Sequence, residues 1–158
     1  MRVVVQRVSR AEVRVGGECV GRIGHGLLVL AASLRSETEA DVDAIAQKIA
    51  EYRVFEDEQG KMNLSARDAG AALLVVSQFT LAADGEKGRR PSFDAASPPE
   101  LGRARVERLV ERLRAFGLSV ETGRFGAAME VELVNNGPAT FILERPRSSG
   151  PSRSPGSP

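Results

Sequence analysis

Apolar residues recur along this chain with two periods, and the switches between them mark its elements. Residues 3–8 (VVVQRV) form a nearly continuous apolar run, as in a strand buried on both faces. Ala11, Val13 and Val15 then alternate with Glu12 and Arg14, the pattern of a half-buried strand. Gly16-Gly17 is a hairpin signal leading to a third strand over 18–23. Gly24-His25-Gly26 turns the chain into residues 27–32, a short apolar run suited to a central strand. The period then changes. Val42, Ile45, Ala46 and Ile49 repeat every three to four positions, predicting an amphipathic helix over 37–51, with Ser36 and Glu39 at capping-box spacing. Asp57-Glu58-Gln59-Gly60 predicts a turn, residues 63–71 a surface loop, and residues 73–79 a core strand.

A second helix is announced by Ser97 as cap, Pro98 at the first helical position and Glu100 at the third. Val106, Leu109, Val110 and Leu113 give it a buried stripe, and Gly117 ends it. Strands are expected over 119–122, 129–135 and 139–144, the last two joined by a turn at Gly137-Pro138. Residues 145–158 hold Pro, Ser, Gly and Arg without apolar spacing, so burial cannot repay their ordering entropy and a disordered tail is expected. No segment repeats. The expected architecture is a single α/β domain over 1–144, with a largely antiparallel or mixed sheet or barrel and two amphipathic helices.

Composition narrows the function classes. With 158 residues, 42% hydrophobic and 27% charged, the chain has the balance of one soluble globular domain with a real core. One cysteine excludes an internal disulfide and suits a reducing cytoplasm. No apolar run approaches a membrane span, and a strand pattern starting at residue 2 leaves no room for a signal peptide. A cytoplasmic protein with no membrane partner is expected. The net charge of +1 argues against a general polyanion binder while allowing a local basic patch. Lys87, Arg89 and Arg90 form the best such patch. Arg103, Arg105, Arg108, Arg112 and Arg114, interleaved with Glu107 and Glu111, read as a solvated helix face.

Conventional hydrolytic machinery is nearly absent. A serine or cysteine nucleophile needs a base, and the one histidine, His25, sits between two glycines as an exposed turn residue. Cys19 falls in a strand and reads as a small packing residue. One histidine and one cysteine cannot build a zinc site, and no Gly-rich phosphate loop follows a strand, so no metal or cofactor is expected. Any hydrolysis must then rest on positioning, backbone dipoles or the substrate itself. Ser77-Gln78-Phe79-Thr80-Leu81-Ala82-Ala83-Asp84 suits that restriction. Where a strand runs out, N–H groups lose their ladder partners, and two that converge on a carbonyl oxygen form an oxyanion hole, each worth about 3 kcal/mol. The plainer alternative is that Ser77 and Thr80 satisfy turn hydrogen bonds while Phe79 packs. In Asn135-Asn136-Gly137-Pro138-Ala139-Thr140 the cis form of the X-Pro bond costs only about 0.5–1 kcal/mol. A cis bond would turn two carbonyl oxygens to one side as acceptors for an ammonium group, and Gly137 lets backbone approach closely. An ordinary Asn-Gly turn is the alternative.

These two stretches resemble the signatures of the D-aminoacyl-tRNA deacylases, SQFTL-x-x-D and N-x-GP-x-T. The resemblance extends from residues 1–8 through Gly60-Lys61-Met62-Asn63-Leu64 and Arg90-Pro91-Ser92-Phe93 to Thr122-Gly123-Arg124-Phe125, covering roughly residues 1–144. Asn136 stands where that family more often has Asp, and Ala139 where Val is usual; neither removes the Gly-Pro. The resemblance implies a homodimer in which Gly137-Pro138, cis and supported by Arg7, enters the partner's pocket. There it would hold the α-amino group of a D-aminoacyl ester and leave no room for an L side chain. It implies Phe79 and Thr80 N–H groups as the oxyanion site and Ser77 and Gln78 as substrate contacts. It also implies a 2′-hydroxyl of the terminal adenosine of tRNA assisting hydrolysis, Thr80 being a doubtful nucleophile for want of a base, and glycyl-tRNA as a second substrate. Lys87, Arg89 and Arg90 would meet tRNA phosphates. Two rival readings stay open: a trans-Pro relative that clears L-alanine from a wrong tRNA, and a catalytically silent dimer that binds RNA ends.

Overall fold

A computed structural model describes residues 1–146. The expected tail falls outside these residues from position 147 on. Strand β1 (Arg2–Val15) is long enough to serve two neighbours on one side: residues 2–8 pair with β3 (Gly26–Ala32), and residues 11–15 pair with β2 (Glu18–Ile23). The β1–β2 hairpin closes through Gly16 and Gly17, both at positive φ as a tight two-residue loop requires. Strand β6 (Ala72–Ser77) lies parallel to β3, and β7 (Val120–Thr122) parallel to β6. Strand β8 (Glu130–Glu144) runs antiparallel along the far side of β1. Two short strands, β4 (Phe55–Glu56) and β5 (Met62–Leu64), form a separate ribbon around the expected turn at 57–60. The sheet is therefore mixed. It nearly closes on itself, because at Gly21 of β2 a Cβ would fall 2.5 Å from the Thr122 carbonyl oxygen of β7.

Helices α1 (Glu39–Glu51) and α2 (Pro99–Ala115) cover one face of the sheet. Leu27, Val29, Leu73 and Val75 point toward them and meet Val42, Ile45, Ile49, Leu109 and Leu113 in the main core. Leu28, Leu74 and Val76 point the other way, into a second cluster with Val8, Val13 and Ile23 inside the curve of the sheet. Burial on both faces explains why β3 and β6 read as unbroken apolar runs.

Several boundaries depart from the sequence pattern for identifiable reasons. Helix α1 is capped by Thr38 with Asp41, not Ser36 with Glu39. Glu37 just before it is drawn into the core, where its carboxylate accepts from Ser33 Oγ (2.6 Å) and the Leu34 N–H (3.1 Å). Helix α2 begins one residue late, at Pro99, and Ser97 does not cap it; the Ser97 hydroxyl bonds to Ser33 Oγ instead (2.7 Å). The 63–71 stretch is not wholly surface, since Ala66 and Ala71 are buried. Cys19 lies in β2 as expected but is exposed rather than packed. The two C-terminal strands are one, β8, with Gly137-Pro138 inside it.

Candidate functional site

Strand β6 stops at Ser77, two residues earlier than its apolar pattern suggests. Gln78 still donates its N–H to the Ala31 carbonyl (2.8 Å), and the chain then tightens into one 3₁₀ turn over Phe79–Ala82. The first internal bond of that turn runs from Leu81 N–H to the Gln78 carbonyl (3.1 Å). The N–H groups of Phe79 and Thr80 precede it and have no acceptor within the turn. Beside this strand end lies a cavity of about 420 Å³ between β3, β6 and the start of α2. Ser77, Gln78 and Phe79 line it, with Phe125 and Met129 opposite. Its lining is mainly apolar with a few polar groups, the usual character of a small-molecule site. Phe79 is 60% exposed and edge-on to Phe93, with ring centroids 5.2 Å apart. The Thr80 hydroxyl accepts from Gln78 Nε2, and neither has a base beside it; His25 is exposed and packs edge-on against Phe55 (5.1 Å).

A polar wall that the sequence did not reveal stands behind the cavity. Ser33 and Ser97, both lining it, are joined by their hydroxyls. Ser33 donates to the buried carboxylate of Glu37, which also meets the Met1 ammonium. Burial pushes that ammonium below its usual range, against the opposing pull of Glu37. Arg105 completes the group, donating to the carbonyls of Leu34 (3.0 Å) and Glu37 (2.7 Å) and to Ser97 Oγ (3.3 Å). Arg105 is thus no part of a solvated face. Its place four residues before buried Leu109, on the apolar stripe of α2, was the signal available in the sequence. Arg108 likewise faces α1, where it grips Asp43 (2.8 and 2.9 Å).

Gly137-Pro138 is built differently from a hairpin turn. Along β8 the pairing with β1 passes from Thr140 opposite Gln6 to Asn135 opposite Val8, so residues 136–139 bulge out against the single residue Arg7. Arg7 is 4% exposed and holds the bulge: Nε donates to the Asn136 carbonyl (3.0 Å) and Nη1 to the Val54 carbonyl (2.6 Å), with Glu56 at 3.7 Å. Asn135 clips the base through Nδ2, donating to the carbonyls of Arg7 (2.9 Å) and Ala139 (3.4 Å). The Gly137–Pro138 peptide is cis, and both residues are exposed. They do not line the cavity of their own chain. Lys87, Arg89 and Arg90 lie on an exposed loop closed by the Asp84–Ser92 bridge, away from the cavity lining. Among the described residues no cluster of His, Cys, Asp or Glu could hold a metal ion, and no helix is long and apolar enough to cross a membrane.

Fold and site together define a class: a small α/β domain whose available chemistry lies in main-chain groups at a strand end and at a bulge. The chain belongs to the D-Tyr-tRNA(Tyr) deacylase family, whose model matches residues 4–144. It is 58% identical over 144 residues to the D-aminoacyl-tRNA deacylase of Symbiobacterium thermophilum, spanning 91% of this chain and 95% of that protein. A second D-aminoacyl-tRNA deacylase, from Paracoccus denitrificans, is 54% identical over 144 residues, 91% of this chain and 97% of its own length. Among solved structures, the c-Myc DNA Unwinding Element Binding Protein superposes with a TM-score of 0.87 at 41% identity, over 93% of this chain and all of that one.

Proposed function

We propose that this protein is a homodimeric, cytoplasmic hydrolase that removes D-amino acids, and misattached glycine, from tRNA. The observation that carries the reading is the pairing of bare Phe79 and Thr80 N–H groups with an adjoining cavity and no side-chain base. In this scheme the terminal aminoacyl-adenosine enters the 420 Å³ cavity between Ser77, Gln78 and Phe125. The ester carbonyl oxygen faces the two N–H groups, which stabilise the negative charge that develops there by about 3 kcal/mol per donor. The 2′-hydroxyl of the adenosine assists a water in attacking the carbonyl carbon. The bond to the 3′-oxygen breaks, and that oxygen takes up a proton to leave free tRNA and free amino acid.

Chirality is tested by main chain. The Gly137-Pro138 bulge of the partner subunit supplies carbonyl acceptors for the α-ammonium group and occupies the space an L side chain would need. Discrimination by a clash suits tolerance of many D side chains, because only the stereocentre is tested. Lys87, Arg89 and Arg90 serve phosphates further along the acceptor stem. One assay tests the whole reading: deacylation of D-Tyr-tRNA, L-Tyr-tRNA and L-Ala-tRNA. Hydrolysis of the D-ester alone is expected. Hydrolysis of L-Ala-tRNA would point to an L-alanine editor, and inertness toward all three to a silent RNA-end binder.

A further inference from the structure

A second cavity, of about 370 Å³, adjoins the first and shares Ser77, Val106 and Phe125 with it as a common wall. Its other sides come from α2, from β7 and from the segment that follows β7. The Arg103 guanidinium lies over the Phe125 ring at 4.8 Å from its centroid, and Arg124 is adjacent in the chain and exposed. Arg114 also lines this cavity but is committed to the Val120 carbonyl (2.8 Å). Glu107 and Glu111 stand on the same wall. The other arginines of α2 are occupied elsewhere: Arg108 and Arg112 by Asp43, and Arg105 at the wall of the first cavity. Among the described residues, Arg103 and Arg124 have no carboxylate within ion-pair distance.

A site with three cations, two carboxylates and one aromatic face is poorly suited to a dense polyanion. It is well suited to one phosphodiester and one base, since single-stranded nucleic acid is gripped by a cationic groove with an aromatic or guanidinium stacking surface. The planar Arg103, fixed on Phe125, offers such a surface with a charge attached. Resting on the function proposed above, we infer that this second cavity is the subsite for the penultimate nucleotide of the RNA. In it Arg103 and Arg124 bind the phosphodiester that joins that nucleotide to the terminal adenosine. Phe125 then serves both subsites, as the partition between the terminal adenosine and its neighbour.

The test compares esters that differ by one nucleotide, and so by one phosphodiester: D-tyrosyl-adenosine and the 3′-D-tyrosyl ester of the dinucleotide cytidylyl-adenosine. Arg103→Glu and Arg124→Glu are each expected to lower the ratio of kcat/KM on the dinucleotide ester to that on the nucleoside ester by roughly tenfold, through KM. The slope of log kcat/KM against log salt on the dinucleotide ester should become shallower by about 0.7 for each cation removed from the phosphate. Arg103→Gln, a milder change, should move the ratio in the same direction. An unchanged ratio in both charge-reversal variants, or a deficit confined to full-length tRNA, would overturn the assignment. Binding of a CCA-ended oligonucleotide that carries no amino acid, read by fluorescence anisotropy, separates this inference from the reading beneath it. Weakening by Arg103→Glu in a protein that cleaves no ester would keep the subsite and sink the hydrolase; cleavage with unweakened binding would do the reverse.

Discussion

Thr80 and Gly137 would bear most of the proposed chemistry at the scale of single residues, and each makes a prediction. The Thr80 hydroxyl is exposed and engaged by Gln78, with no base beside it, while its N–H belongs to the open start of the 3₁₀ turn. Removing the hydroxyl leaves that N–H in place. Thr80→Ala should therefore keep deacylation of D-Tyr-tRNA within about tenfold of the parent, whereas losing a true nucleophile costs on the order of a million-fold. Replacing the terminal adenosine by 2′-deoxyadenosine should nearly abolish turnover. A dead Thr80→Ala variant that still dimerises and binds tRNA would return the nucleophile to the protein. At Gly137 a Cβ would fall 2.5 Å from Asn135 Oδ1 and 3.2 Å from the Ala139 nitrogen. Asn135 would have to release the carbonyls it clips, and the bulge would lose its shape. Gly137→Ala should lower turnover of D-Tyr-tRNA and glycyl-tRNA together by about tenfold or more, as small displacements in an active site do. Parent-like rates on both in single-turnover assays would exclude the bulge from the site.

Between elements, the bond from α1 to α2 is the most testable. The Arg108 guanidinium, hydrogen-bonded to Asp43, holds that carboxyl below its ordinary range. The unfolded chain, with an ordinary value of about 3.9, therefore takes up the proton first as the pH falls. The pair's stabilisation is whole above about pH 5 and disappears on descending through the lower, folded value. Calorimetry of Asp43→Asn should show a Tm deficit at pH 7 that narrows toward pH 3. A deficit independent of pH would mean that packing, not charge, links the helices there. Element by element, the sequence is legible where one interaction dominates. Burial on two faces makes β3 and β6 unmistakable, and the Gly16-Gly17 hairpin is set by local backbone alone. Caps are misread where tertiary contacts intervene: the core draws in Glu37, next to the expected cap Ser36, and α1 is capped at Thr38 instead, while the cavity wall takes the Ser97 hydroxyl. The strand over 130–144 reads as two because a Gly-Pro pair looks like a turn. Only the neighbouring β1, with Arg7 opposite the extra residues, shows that it is a bulge. SQFT marks the strand end on resemblance, but the cavity beside it draws on α2, β3 and the segment before β8, too far apart in sequence for any local pattern.

At the scale of the whole molecule, the proposed function makes the site in one subunit half a site. The bulge that would hold the ammonium group does not line its own chain's cavity, so in the proposed reaction it would serve the cavity of another copy. Strand β8 pairs with β1 on one side, and among the described strands it has no partner on the other. Its outward face carries Ile142, 72% exposed, across from half-buried Val4, with Thr140 bonded to Gln6 two residues along. An apolar pair of this kind, flanked by polar groups on a long strand with one open edge, is a surface that association would bury. Ile142→Asp places a charge in that surface without touching Ser77, Phe79 or the Arg7 clasp. Light scattering should show the parent as a dimer at assay concentration and Ile142→Asp shifted toward monomer. Its deacylation rate per chain should then rise with protein concentration, because only paired subunits complete a site, while the parent's stays flat. A monomer of the parent that is fully active on D-Tyr-tRNA would mean that one chain holds every group the reaction needs, and the exchange of bulges between subunits would have to be abandoned.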